Sequence, residues 1–306
     1  MSAYVLRRVA QSLIVLVGVS IVVFFLARLA PGDPVTLMLS ETASPEQIEA
    51  AREHYGFNDP IYKQYWLFAT RAIRGDFGDS LYYDEPALRV VLDAFPQTIK
   101  LALTAFLLAV GVALPLGVIA AIRRDTFWDY LAVGLSVIGQ AAPSFWIGIL
   151  LILFFSVRIK IFPSSGNFGP EYIVLPAITL AALLMAVLTR LTRAGMLDVL
   201  SDDYVRTARS KGLKERTVIV RHALRNALIP LVTVMGLQLG SLLGGTVIVE
   251  QVFAWPGVGR LAVNAISSRD YPIIQAVVLL VSVVFVVINL AVDLLYGLLD
   301  PRIRHS

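Results

Sequence analysis

Six apolar runs, at 9–27, 101–122, 130–157, 172–189, 227–249 and 271–292, divide this chain, and each is nearly free of charged residues. Crossing about 30 Å of hydrocarbon takes roughly 20 helical residues, because a helix rises about 1.5 Å per residue and satisfies its own backbone hydrogen bonds. Each run is long enough. With 57% hydrophobic residues among 306 and a mean hydropathy of +0.75, the chain lies outside the soluble norm and reads as an all-α polytopic membrane protein.

Several chemistries are excluded by the residues available. There is no cysteine, so disulfides, thiol catalysis and cysteine metal sites are ruled out and redox chemistry says nothing of compartment. No glycine is followed by lysine, so the chain carries no phosphate-binding P-loop of its own. His54, His222 and His305 fall in three separate regions without metal-ligand spacing, and no serine nucleophile elbow occurs. The chain is not predicted to be an enzyme. The net charge of +4 is clustered by membrane side, which argues against nucleic acid as a partner.

That clustering sets the expected topology. Arg7 and Arg8 precede the first span, Arg123 and Arg124 end the second, and Arg302 and Arg304 lie in the tail. Between Arg190 and Arg225 nine cations face four anions, Asp198, Asp202, Asp203 and Glu215. The pieces on this side hold 15 cations and 8 acids, against 11 cations and 14 acids on the other. Short cytoplasmic loops carry the excess of Lys and Arg, so six crossings put both termini in the cytoplasm. The first run is too long for a signal-peptide core and no Ala-x-Ala site follows, so an uncleaved first helix is predicted.

The largest hydrophilic block outside the membrane is 31–96, with eleven acids against five bases. Ser44-Pro45-Glu46-Gln47 combines an N-cap, a first-position proline and a capping-box partner, with Gly56 as the stop. Asp59-Pro60 starts a second helix, whose Ile61, Tyr65, Phe68 and Ala72 form one narrow stripe before Gly75. An aromatic stripe of that kind suits the membrane surface or the mouth of a bundle.

On the opposite side, 198–230 is the one long polar interruption in the second half. Ser201 is a candidate cap for a helix of about three turns whose first turn holds Asp202 and Asp203, with Gly212 as its left-handed stop. Thr207 and Ala208 leave a slim face, and Arg206 and Arg209 stand one turn apart. Such a rod fits a groove in another protein, and it fits equally a solvated loop that obeys the positive-inside rule.

Tyr204-Val-Arg-Thr-Ala-Arg-Ser-Lys-Gly-Leu213, followed by Arg221-His-Ala-Leu-Arg-Asn-Ala-Leu-Ile-Pro230, resembles the cytoplasmic loop of ABC importer permeases of the dipeptide/oligopeptide type. The general family's Glu-Ala-Ala falls on Arg206, Thr207 and Ala208, so only the last alanine and Gly212 match it, as in peptide-type members. Pro31-Gly-Asp-Pro34 and Gly75-Asp-Phe-Gly-Asp-Ser80 are similar to hallmarks of the first permease subunit of that subfamily, as is Val252 to Leu261 with Arg269-Asp-Tyr-Pro272. The resemblance implies a coupling helix seated on an ATPase, carried here by Asp203, Tyr204, Val205, Arg206, Thr207, Ala208, Arg209, Lys211 and Gly212. It also implies contact of the external segments with a receptor or the entrance of the path, for which Asp33, Asp76, Trp255, Arg260 and Asp270 are the candidates; turn-formers that touch no partner, and a tryptophan in the aromatic belt, are the plainer readings.

Inside the membrane, Gln140 near Pro143 and Gln238 sit close to mid-span, where lipid cannot satisfy an amide. Either they meet a peptide backbone in the path or they staple helices together. Asn289 shares a face with Asp293 on the last span, and Asp293 is near enough the cytoplasmic end to pair with an arginine such as Arg302. Gly236, Gly240 and Gly244 form a small-residue stripe for close helix packing, within the chain or with a second permease.

The expected organisation is therefore an N-terminal span (1–30), an external segment (31–97), and a core of five spans (98–306) that includes the coupling loop 190–226. The resemblance implies half of a translocation path for peptides or similar solutes such as glutathione, nickel chelates or some sugars. Its partners would be a homologous second permease, two ABC ATPases that bind ATP and Mg2+, an extracytoplasmic binding protein and the lipid of a bacterial or archaeal plasma membrane. An ion- or proton-coupled secondary transporter is the alternative, and it calls for inverted repeats or midplane acids, neither of which is visible. A non-transporting scaffold would leave the midplane amides without a task.

Overall fold

The computed structural model describes residues 2–29, 44–54, 58–80 and 82–299. In chain order its helices are α1 (Ser2–Leu29), α2 (Pro45–His54), α3 (Ile61–Ile73), α4 (Ala87–Ile122), α5 (Phe127–Ala141), α6 (Ser144–Leu151), α7 (Val174–Leu200), α8 (Asp203–Ser210), α9 (Glu215–Thr217), α10 (Arg225–Val252), α11 (Val258–Ser268) and α12 (Tyr271–Leu299). π-helical stretches Ile152–Arg158 and Val218–Leu224 continue α6 and join α9 to α10. Stretches within α1, α4, α7, α10 and α12 are long and apolar enough to cross a membrane, and a sixth crossing exists if the pair α5 and α6 counts as one span.

That pair covers the apolar run at 130–157 and is sharply bent. The chain turns by 109° between Phe127–Ala141 and Ser144–Arg158. Pro143 is the cause: it has no N–H to continue the ladder, and it forces the preceding residue out of the helical region, so Ala142 sits at φ −80° and ψ 130°. Gln140, just before the break, therefore lies at the end of a helix.

The chain forms two compact units. The first comprises Met1–Pro96 and Arg260–Leu290. In it α2 begins at Pro45, as its capping residues predict, while its expected stop at Gly56 is outside the described residues. The aromatic stripe of α3 packs on α1: the rings of Tyr65 and Phe68 lie 5.3 and 5.6 Å from that of the fully buried Phe24. The hydroxyls of Tyr65 and Ser20 are 2.9 Å apart. Gly75 and Gly78 both take left-handed backbone (φ +78° and +83°), which lets the loop after α3 fold back and pair Asp79 with Pro86 in an isolated antiparallel bridge.

The second unit comprises Gln97–Gly259 and Ala291–Ser306. Its centre is α7, whose span is 56% buried, against 28% for that of α10. Leu101, Ala105, Ala109 and Ala113 of α4 recur every four residues on one buried stripe and meet Leu175, Ala177, Ala181, Leu184 and Leu188 of α7 in a core closed by Phe253 and Trp255. Gly117 continues the stripe and is pressed hardest: a Cβ there would lie 2.5 Å from Thr192 Cβ and 2.7 Å from the Thr189 carbonyl oxygen. Small residues allow this approach, and dispersion between closely packed helices replaces the hydrophobic drive that lipid does not supply. The glycines of α10 are less uniform, since Gly236 is close against Val292 while a Cβ placed on Gly244 would meet none of the described residues within 4 Å beyond its own helix. Replacing Gly117 with Val must push α4 from α7, at a cost of about 1–3 kcal/mol. Thermal unfolding in detergent should register a lowered midpoint for Gly117→Val; an unchanged midpoint would refute the packing role.

Candidate functional site

The polar loop is built on the end of α7. Ser201 terminates α7, donating its hydroxyl to the Asp198 carbonyl at 2.7 Å, and so does not cap α8 as the sequence suggested. Asp202 occupies the N-cap position, with extended backbone and no side-chain cap bond. α8 is eight residues long, shorter than expected, and ends where Gly212 takes φ +74° in open space. Glycine is required there by backbone angle alone.

Burial sorts the candidate coupling residues into two groups. Val205 and Ala208, one turn apart, are buried against Val199, Leu200 and Val218, so the slim alanine faces the loop's own core rather than outward. The reason is amphipathicity: these are the only apolar positions of α8 at that spacing. Asp203, Tyr204, Arg206, Thr207, Arg209, Lys211 and Gly212 are exposed. Arg209 grips Glu215 with two hydrogen bonds, at 2.8 and 3.2 Å, which locks the turn after α8. Those bonds hold the Glu215 carboxyl below its ordinary range and raise the Arg209 guanidinium above its own. Asn226 donates to the Tyr204 hydroxyl at 2.7 Å, tying α8 to the start of α10.

Gln140 and Gln238 come together. They line one cavity of about 260 Å3 with Ser144, Thr179 and Ser241, opened by the break at Pro143. The hydroxyls of Thr179 and Ser241 are spent on the carbonyls of Leu175 and Gln238. Neither glutamine amide has a hydrogen-bond partner among the described residues, so neither staples two of the described helices together. Asn289 behaves otherwise and donates to the Phe285 carbonyl of its own helix at 2.9 Å. Asp293 and Arg302 have no described side chains.

The external candidates separate by burial. Trp255 is fully buried and donates its indole N–H to the Gln97 carbonyl at 3.0 Å, so it neither meets a receptor nor joins an aromatic belt. Asp270 is 1% exposed and acts as an N-cap. One of its oxygens accepts from the Ile273 N–H at 3.2 Å; the other accepts from the Ser80 hydroxyl and from the Tyr82 N–H at 3.3 Å. It pins the Gly-Asp-Phe-Gly-Asp-Ser loop to α12 and has no surface for a receptor. Asp76 is exposed and caps its own turn by accepting from the Gly78 N–H at 3.0 Å, Arg260 is half-buried, and Asp33 lies outside the described residues.

The Asp129–Arg193 pair was missed by sequence reasoning. Arg193 on α7 donates to both oxygens of Asp129 on α5, one bond measuring 2.7 Å, and Asp129 is 2% exposed. Both had been counted only as charges on one membrane side; 64 residues apart, nothing local pairs them.

Comparison with known proteins settles the class. Residues 113–305 match the family described as binding-protein-dependent transport system inner membrane component, and residues 1–102 match the N-terminal model of the same system. The chain belongs to that family. It is 43% identical over 303 residues to the glutathione transport system permease protein GsiC of Escherichia coli (strain K12), covering 99% of each chain. The same identity and coverage hold for GsiC of Shigella dysenteriae serotype 1 (strain Sd197). Among solved structures, two crystal forms of the inward-facing MetNI methionine ABC transporter match the fold with TM-scores of 0.54 and 0.56 at 16% and 18% identity, covering 69% of this chain and 96% of theirs. The protein is thus an ABC importer permease of the inner membrane, a multi-pass subunit of a family whose members are not themselves enzymes. A gradient-driven secondary transporter is no longer an alternative.

The Asp129–Arg193 pair joins α5 to α7, the helix from whose end the polar loop grows. Breaking such a pair leaves a desolvated charge, at a cost of up to about 3 kcal/mol. In a double-mutant cycle of Asp129→Asn and Arg193→Gln on unfolding free energy, we expect a coupling of at least about 1 kcal/mol; strictly additive losses would deny the link.

Proposed function

We propose that this permease forms half of the path for glutathione-like or other short peptides, with a homologous second permease, two ATPases that bind ATP and Mg2+, and an extracytoplasmic binding protein as its partners. Both termini face the cytoplasm, 31–97 is external, and 98–306 is the core, in keeping with the distribution of Lys and Arg. The relatives named for glutathione transport support the substrate class. What carries the assignment of the path is the pair of unspent amides, Gln140 and Gln238, on one cavity at a broken span. A carboxamide can donate to one peptide carbonyl and accept from one peptide N–H, which suits a ligand made of amide groups and tolerates varied side chains.

The exposed face of α8 takes the push of the ATPases, with Asp203, Tyr204, Arg206, Thr207, Arg209, Lys211 and Gly212 on the contact. Val205 and Ala208 seat the helix on Val199, Leu200 and Val218, so that a displacement of α8 moves the end of α7 with it. From α7 the Asp129–Arg193 pair carries it to α5 and so to Gln140. Asp76 and Arg260 are the remaining candidates for receptor contact.

Uptake of labelled glutathione into proteoliposomes holding the assembled transporter tests this reading. Gln140→Leu or Gln238→Leu removes one hydrogen bond of about 1–1.5 kcal/mol, and KM for uptake should rise roughly five- to tenfold with basal ATP hydrolysis unchanged. Unaltered uptake in both variants would remove the path assignment. In the same complex Arg206→Cys should cross-link to a cysteine placed on the ATPase, and failure at every ATPase position would remove the coupling assignment.

A further inference from the structure

A second cavity, of about 570 Å3, opens where α8 meets the start of α10, lined by Tyr204, Arg221, His222, Arg225 and Asn226 and floored by Leu228 and Val232. Arg221, Arg225, Leu228 and Val232 follow one another at four, three and four residues, so a single stripe of helix runs from two guanidinium groups to two aliphatic side chains. Both arginines are exposed, and neither has a carboxylate or other polar partner among the described residues. Three other cations of the loop are spent, Arg209 on Glu215, Arg206 on Asp203 and Arg193 on Asp129, while Arg190, Lys211, Lys214 and Arg216, also without a partner among the described residues, lie outside this cavity. Val232 is 41% exposed.

Depth matches this gradient. The apolar span of α10 begins at Pro230, so Arg221 and Arg225 stand one to two turns before the hydrocarbon and Val232 stands within it. From Arg221 to Val232 the helix rises roughly 16 Å, the reach of a headgroup and the upper part of an acyl chain. The Asn226–Tyr204 hydrogen bond fixes the opposite wall on α8. An acidic protein surface would satisfy the arginines and leave Val232 uncovered, whereas an amphiphile satisfies both.

We infer that this groove binds an anionic phospholipid of the leaflet on whose side α8 lies, the phosphate between Arg221 and Arg225 and an acyl chain along Leu228 and Val232. Basic pockets at the ends of membrane helices recognise such headgroups by charge and hydrogen bonding. Lying against Tyr204, the lipid would brace α8. The inference rests on the coupling reading only for that consequence, not for binding.

The test uses the assembled transporter in nanodiscs of phosphatidylcholine with one part in about five of phosphatidylglycerol, followed by counting of the lipid retained per complex on mild detergent release. Wild type should retain phosphatidylglycerol over phosphatidylcholine, and the Arg221→Gln/Arg225→Gln variant should lose that preference by roughly 30-fold, each arginine counting for about fivefold. Lys214→Gln/Arg216→Gln, an equal change in charge on the same loop, should retain it. Equal preference in wild type and the Arg221/Arg225 variant would overturn the site, as would equal loss in the Lys214/Arg216 variant, which would mean diffuse surface charge. If the arginine variant sheds the ATPase while wild type shows no lipid preference, the groove belongs to the protein partner and the inference fails. Should the glutamine variant not assemble, photoactivatable phosphatidylglycerol on the wild-type complex must label 221–232; labelling confined elsewhere overturns the proposal. Failed uptake with intact lipid preference would count against the path reading alone.

Discussion

The contact on which the second unit depends is the bare approach of α4 to α7. Gly117 presents no side chain, so that a Cβ there would lie 2.7 Å from the Thr189 carbonyl oxygen, and the small Ala105, Ala109 and Ala113 on the same stripe share a buried core with α7. In hydrocarbon that closeness matters more than in water, because lipid tails compete on equal terms with any aliphatic side chain and only tight packing distinguishes protein from solvent. α7 thereby becomes a fixed mast. The loop grows from one end of it, and the broken span leans on its side, with Gly139 allowing α5 to come within 3.2 Å of the Ala182 carbonyl oxygen as judged by a Cβ placed there.

The proposed path follows from what the mast leaves unspent. The break at Pro143 opens a cavity lined by Gln140 and Gln238, whose amides have no hydrogen-bond partner among the described residues and are free to meet water or a ligand. α8 is ordered by the opposite device, in which Val205 and Ala208 are covered and the turn after it is locked by Arg209 and Glu215. Between the two, the Asp129–Arg193 pair is the one charged bridge from α7 to α5 that the described residues provide. Loop, mast and broken span are thus mechanically continuous within one unit.

Much of this was visible in the residues. Length and apolarity marked the spans because a bilayer sets a minimum; the capping residues at Ser44 and the prolines at Pro45 and Pro60 marked two further helices because those effects are local. Family motifs led to the class, and the matched family agrees. What stayed hidden shares one origin. Pro143 stands inside the run at 130–157, but local sequence reports a weak point and not how far the chain bends there. Ser201 was read as a cap for α8 when it closes α7, since the same residue type serves both ends.

By itself the sequence determined that the chain is helical, that it crosses a membrane and which loops carry positive charge, all through interactions within a turn or two of chain or between chain and solvent. Only tertiary structure decided that Gln140 and Gln238 share a cavity, that Trp255 and Asp270 are inside and not offered to a receptor, and that Asp129 finds Arg193. These pairings span tens to hundreds of residues. Their partners are chosen by the register in which helices pack, a property of the assembled bundle that no local pattern encodes.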